Sequence, residues 1–453
     1  MFDFSLMKLK FSIHYSMKLL PKIENFKRLK ISSFVQYCKS CSFKLLAWTD
    51  ESDCATRKAL EHFDNLNKLM LISLRGGQKQ EYDKPITWKL WIGNWIVRMA
   101  ILATFIRYNL FLYFDESVQL DLYLANPFPG SERQNNTFLL ILGVITIVIF
   151  SLLREYYHYI ERAGFLITFR IFCIIRNHGI YWKPLKFNVK SGQFFNKIVH
   201  LIMTQGARLM VFIWLYSVAF FSLLHLNYSA AYSTGVHIFF ILCVIPSEIV
   251  TFALLINGLV SLGIYLWTFI ALFNAKLEAI RDDIKICLRK CSLSPVELSQ
   301  INEKVILFMN EIEETYRRLD YLHLYLVGLI AMQADFMLLL SLIFKLFPGF
   351  INTLATMGGI AAHFFLVIGN YWASSYHTKT LSMHGRYTGL IFYTKANCSA
   401  RFKALEVQDR INARQTGIAI GNLCLITPSF SLLFILENIN FIMLLTVNIR
   451  TLV

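Results

Sequence analysis

The chain has 453 residues, 56% of them hydrophobic and only 16% charged, with a mean hydropathy of +0.48. That is more apolar surface than one water-soluble core can bury, so the sequence is that of an integral membrane protein. A net charge of +16 would suggest nucleic acid in a soluble chain; here the basic residues lie between apolar runs, where they set orientation, and no nucleic-acid partner is expected.

Residues 1–87 hold no run long enough to cross a bilayer. Their opening, "MFDFSLMKLKFSIHYSMKLLPK", is interrupted by lysines and lacks the continuous apolar core of a signal peptide, so it reads as a cytoplasmic amino-terminal region. "CKSC" at Cys38–Cys41 has the spacing of half a zinc site, but no second pair follows, and ordinary reduced cysteines are the simpler reading. No metal or other cofactor is expected.

A span needs about 20 mostly apolar residues, because a helix rises about 1.5 Å per residue across about 30 Å of hydrocarbon. The sequence predicts seven: Leu90–Phe114, Thr137–Leu153, Ala207–Leu226, Val236–Phe273, Leu324–Leu346, Ala355–Ser374 and Ser429–Ile449. The fold class is all-α integral membrane. Its parts are 1–87, four spans in 88–273, a helical hairpin in 274–323, two spans in 324–374, an anchor segment in 375–428, and the last span in 429–453.

Lys and Arg number 15 in residues 1–87, 8 in 154–206, 8 in 274–323 and 7 in 375–424, against 1 in 115–136 and none in 227–235 or 347–354. The basic segments belong in the cytoplasm, which places the amino terminus inside and the carboxyl terminus outside. Splitting Val236–Phe273 into two helices at Asn257-Gly258 would push two basic segments outward, so one long helix containing Pro246 is expected. None of the nine cysteines falls in an outer loop. The sequons at Asn135 and Asn227 fall outside and the one at Asn397 inside, which the map tolerates without being tested by it.

Within 274–323, Ser294, Pro295 and Glu297 form a helix start of the capping-box type. Leu277, Ile280, Ile284 and Leu288 make one apolar stripe; Ile301, Val305, Phe308, Ile312, Tyr316 and Leu319 make the facing one. A platform joining subunits and a hairpin private to one monomer fit this pattern equally.

There is no phosphate loop, HExxH, GxSxG or metal-spaced His cluster, so no enzyme activity is expected. Polar groups within spans carry more information: Arg98, Arg107, Glu248, Gln333, Asp335, Asn370, Glu437, Asn438 and Asn440, with His363 alone in the sixth span. Arg98 can snorkel to the interface, and Asp335 can pair with an arginine of a neighbouring helix. In the last span Glu437, Asn440, Leu444, Val447 and Asn448 fall near one face, alternating polar with apolar. Repeated around an axis this face makes a carboxylate and amide ring with apolar constrictions, as cation pores do. Geometry alone also allows a helix buried inside a monomer's bundle.

From about residue 88 to 453 this plan resembles the insect gustatory and odorant receptor superfamily. The family's final motif is threonine-tyrosine, five apolar residues, then glutamine-phenylalanine; the matching stretch here is "NFIMLLTVN", with Asn440, Phe441, Val447 and Asn448 at the four motif positions. "IAIGNLCLITPSFSLL" resembles the family's two-part last helix, broken near Pro428. The resemblance implies a tetrameric cation channel in the plasma membrane, homomeric or heteromeric with related subunits, opened by a small molecule. It implies a pore lined by Glu437, Asn440, Leu444, Val447 and Asn448, with the gate at the last two. A ligand pocket would draw on Trp214, Tyr216, Phe220, Glu248, Gln333 and His363. The rivals are a receptor signalling through G proteins, which lacks DRY and NPxxY at the required places, and a non-conducting structural or transporter-like subunit.

Overall fold

Long unbroken apolar runs with few helix breakers produce long helices, and the computed structural model is built almost wholly of them. It describes residues 52–74, 87–114, 121, 123–126, 132–163, 167–181, 185, 187–229, 235–290, 294–343, 345, 347, 349–393, 398–412, 418–421 and 424–450. All belong to one unit, Glu51–Val453. Cys38, Cys41 and the sequon at Asn397 lie outside them.

The helices in chain order are α1 Asp53–Leu69, α2 Trp88–Tyr113, α3 Glu132–Ala163, α4 Ile167–His178, α5 Val189–Ser229, α6 Gly235–Leu288, α7 Pro295–Leu338, α8 Gly349–Tyr393, α9 Cys398–Asn412 and α10 Pro428–Arg450. Six stretches, in α2, α3, α5, α6, α7 and α8, are long and apolar enough to cross a membrane, and α10 adds a shorter apolar helix over Pro428–Leu444. The protein is a multi-pass membrane protein.

Of the helix pairs, α5 and α6 pack together most extensively, and α8 packs against both α6 and α7. The 54-residue α6 runs straight through Asn257-Gly258. At about 1.5 Å per residue it is about 80 Å long, far more than a bilayer's hydrocarbon, so it continues well beyond the membrane. Pro246 sits inside it, and the neighbouring Ser247 hydroxyl donates to the Val244 carbonyl at 2.8 Å.

The hairpin after α6 follows its sequence signals. Ser294 Oγ accepts from the Glu297 amide at 3.2 Å while a Glu297 carboxylate oxygen accepts from the Ser294 amide at 3.1 Å, with Pro295 opening the helix. Lys290 and the Ser294 amide hold the Glu297 carboxyl below its ordinary range. The two apolar stripes meet: Leu277, Ile284, Val305 and Ile312 are fully buried. Lys276–Glu311 at 2.5 Å and Lys304–Asp283 at 2.7 Å flank the seam.

Two elements depart from the sequence reading. The residues before Pro428 form a short ladder, Ala419 opposite Leu425 and Ile420 opposite Cys424, instead of helix. Gly421 turns it with φ +52°, and a Cβ there would stand 3.1 Å from Leu324. The other departure is α7's end, a π-helical turn over Leu339–Ile343. Leu339, Leu340 and Ser341 of this turn are all buried. Helices α7 and α8 approach closely beside it because Gly359 has no side chain. A Cβ there would lie 2.8 Å from Leu338 Cγ and 3.1 Å from the Ala334 carbonyl oxygen. Gly359→Leu is therefore expected to destabilise the fold by about 1–3 kcal/mol, read as a lower unfolding midpoint of detergent-solubilised protein.

The amino-terminal α1 docks onto α5 and α4. Its buried Asn67 donates to the Phe63 carbonyl at 3.0 Å and the Tyr265 hydroxyl at 3.2 Å, and accepts from Ser261 Oγ at 2.6 Å. Arg176 pairs with Asp64 at 3.0 Å. These contacts satisfy polar groups that would be costly to bury unpaired.

Candidate functional site

The last helix presents two unlike faces. Ser431 is buried and Phe434, Ile435, Asn438, Ile442 and Thr446 are half-buried, spacings of three and four that make one packed stripe. That stripe meets α8, α7 and the π-turn. Asn438 and Thr446 quench their polarity on their own helix, donating to the Phe434 carbonyl at 2.6 Å and the Ile442 carbonyl at 2.7 Å. Glu437, Asn440, Leu444 and Val447 are exposed; Leu444 is 61% and Val447 62% accessible. These four side chains face away from the packed stripe of α10. Asn448 is on the same helix, with its side chain outside the description.

The ligand candidates divide into groups. Tyr216 and Phe220, one turn apart on α5, stack at 6.0 Å, and Phe220 meets Phe347 edge-on at 5.6 Å. The Tyr216 hydroxyl donates to the Leu354 carbonyl of α8 at 3.0 Å and passes over Gly358, where a Cβ would sit 2.7 Å away. A buried cluster of Leu142, Phe221, Leu224, Leu340, Phe347, Ile351 and Ala355 adjoins them. Gln333 accepts from Thr146 of α3 at 3.1 Å. His363 Nε2 lies 2.8 Å from Asp335 Oδ1, so His363 is not alone, and the group beside Asp335 is this histidine of α8. That contact is at ion-pair distance and outside hydrogen-bond alignment. Trp214, two residues before Tyr216, points about 200° around α5 from it, and its indole N–H is buried without an acceptor. A cavity of about 640 Å³ between residues 187–188, α6 and α7, and one of about 380 Å³ between α1 and α5, are lined by none of the six.

Glu248 belongs to a separate polar knot. One carboxylate oxygen pairs with Arg107 and accepts from the Tyr108 hydroxyl at 3.0 Å; the other lies 2.7 Å from His225 Nε2. Arg107 also donates to the carbonyls of Leu124, at 2.6 Å, and Ala125, at 2.8 Å. Ala125 has φ +49°, so the guanidinium fastens a turn that an L residue adopts at a cost. Phe252 bridges this knot to the aromatic cluster, stacking on Phe221 at 4.9 Å and lying 6.4 Å from Tyr108. Sequence reasoning flagged Arg107 and Glu248 as costly intramembrane charges but did not pair them, and it missed Tyr108 and His225. Opposite charges in two spans were the available signal. Arg98, in contrast, does not merely snorkel: its Nε donates to Glu155 of α3 at 3.0 Å.

No family model matches the sequence, and no curated protein matches it. Solved structures do. The insect olfactory receptor OR5 from Machilis hrabei, in complex with eugenol, superposes with a TM-score of 0.62 at 11% identity, covering 89% of this chain and 100% of that one. The same receptor in a second structure gives 0.54 at 12% identity, covering 85% and 98%. At these identities the likeness speaks to architecture, and across nearly its whole length this chain has the fold of an insect olfactory receptor.

Proposed function

We propose that the protein is a chemoreceptor of the insect gustatory and odorant receptor superfamily, of gustatory type. It is one subunit of a tetrameric cation channel in the plasma membrane, opened by a small molecule. The observation that carries this reading is the outward stripe of α10. Glu437, Asn440, Leu444 and Val447 leave the packed side of the helix together, and a carboxylate facing lipid alone would be costly. Four such helices around an axis give each carboxylate water and cations, with Leu444 and Val447 as apolar rings that close by dewetting. Asn448 continues the gate. The shared fold with a receptor solved in complex with eugenol supports small-molecule opening. In this reading Tyr216 and Phe220 form the aromatic wall of the pocket, Gln333 and His363 supply polar contacts, Glu248 acts through the Arg107 knot, and Trp214, which points to the other side of α5, stands outside the pocket.

A tag fused after Val453 tests the orientation. Antibody labelling of intact cells is expected. Labelling only after permeabilisation, with surface expression verified separately, would remove the channel reading. The valine and asparagine at the gate positions favour a second reading, a subunit that conducts only beside a related partner. Currents from the chain expressed alone would dismiss it.

A further inference from the structure

Three helices leave their apolar runs side by side, and basic residues dominate the corner where they do so. On α5, Lys190, Phe194 and Lys197 recur at i, i+4 and i+7, which is one helix face. Phe194 is 42% exposed. From α8, Lys379 lays its ammonium 5.6 Å from the centre of the Phe194 ring. Arg281 of α6 stands beside it, donating to Glu278 at 2.6 Å and to Ser382 Oγ at 3.0 Å, with its Nε buried and lacking an acceptor. Among the described residues the charged neighbours of Lys379 are Glu278 and Arg281, and Glu278 is already engaged by Arg281.

Among the described residues Lys379 therefore has an aromatic face for company and no ion-paired carboxylate, next to a guanidinium N–H that still needs an acceptor. An exposed phenylalanine among cations is a poor site for a small hydrated anion, which gains nothing from the ring. It suits a molecule that is apolar on one side and anionic on the other. The position agrees: Lys379 is the first cation of α8 after the apolar stretch that starts near Ala355, and Glu278 and Arg281 follow the apolar stretch of α6 that ends near Ala275. Charges at such exits sit at headgroup depth. We propose that this corner binds an anionic phospholipid from the basic side of the membrane. The phosphate lies between Lys379 and Arg281, Lys190 and Lys197 contribute attraction, and an acyl chain rests along Phe194. The assignment does not depend on the channel reading.

The test is titration of the purified full-length protein in detergent micelles with fluorescent phosphatidylserine and, separately, phosphatidylcholine. Phosphatidylserine should bind more tightly. Lys379→Ala should weaken it about fivefold and the Lys190→Ala/Lys197→Ala pair about thirtyfold, from about 1 kcal/mol per cation near the surface. Glu278→Gln should tighten binding, a direction that misfolding does not imitate. Lys403→Ala, on α9 and paired with Glu406, should change nothing. Equal affinity for the two lipids, an effect of Lys403→Ala as large as that of Lys379→Ala, or weaker binding by Glu278→Gln would overturn the site. Displacement of the lipid by inorganic phosphate would reassign it to a soluble anion.

Discussion

Arg107→Met should cost the fold about 3–5 kcal/mol, because it removes the guanidinium from a buried carboxylate and leaves it only Tyr108 and His225. Arg107 is 5% accessible, Glu248 1% and His225 2%, so water does not reach in to replace the lost partner. The same substitution frees the carbonyls of Leu124 and Ala125 and releases a turn held at positive φ. The measurement is the thermal unfolding midpoint in detergent together with surface abundance. Arg107→Met/Glu248→Met should recover most of the loss, since removing both charges leaves apolar groups of similar size. An unchanged midpoint for the single variant, or a double variant as unstable as the single one, would mean that the knot does not hold these helices.

Glu437→Lys should lower the preference for cations over anions by about tenfold, at the lower end of what a single-signed ring does to local counter-ion concentration. The side chain is exposed and faces away from the packed stripe, so folding should be unaffected while permeation changes. Reversal potentials under sodium and chloride substitution read the effect. Glu437→Gln should give a smaller shift in the same direction. Identical reversal potentials for all three proteins would place Glu437 outside the conduction path and leave the outward stripe of α10 without its proposed role.

Most of the architecture was legible in the sequence because the signals were local or long. Apolar runs mark helices regardless of context, and the Ser294-Pro295-Glu297 start needs only four residues to specify itself. The continuity of α6 was legible from charge bookkeeping on either side of Asn257-Gly258. What failed needed three-dimensional neighbours. "IAIGNLCLIT" is a short apolar run of the sort that periodicity cannot divide between helix and strand, and the ladder forms where Gly421 can turn against Leu324. The π-turn at Leu339–Ile343 leaves no mark in composition. Nor could spacing pair Arg107 with Glu248, 141 residues apart, or His363 with Asp335 across two helices. For the site, the stripe of α10 follows from helical geometry alone. The scatter of the six ligand candidates, in contrast, shows how little a type of residue says about the direction it faces.

Helix α6 carries Glu248 toward one end and Arg281 toward the other, 33 residues apart and about 50 Å along the axis. Because no break separates them, the helix is a push-rod. A slide of one residue's rise at the end held by Arg107 is the same slide at the end gripped by Glu278, Ser382 and the hairpin. An axial shift at the knot would be carried to the hairpin end by the helix itself.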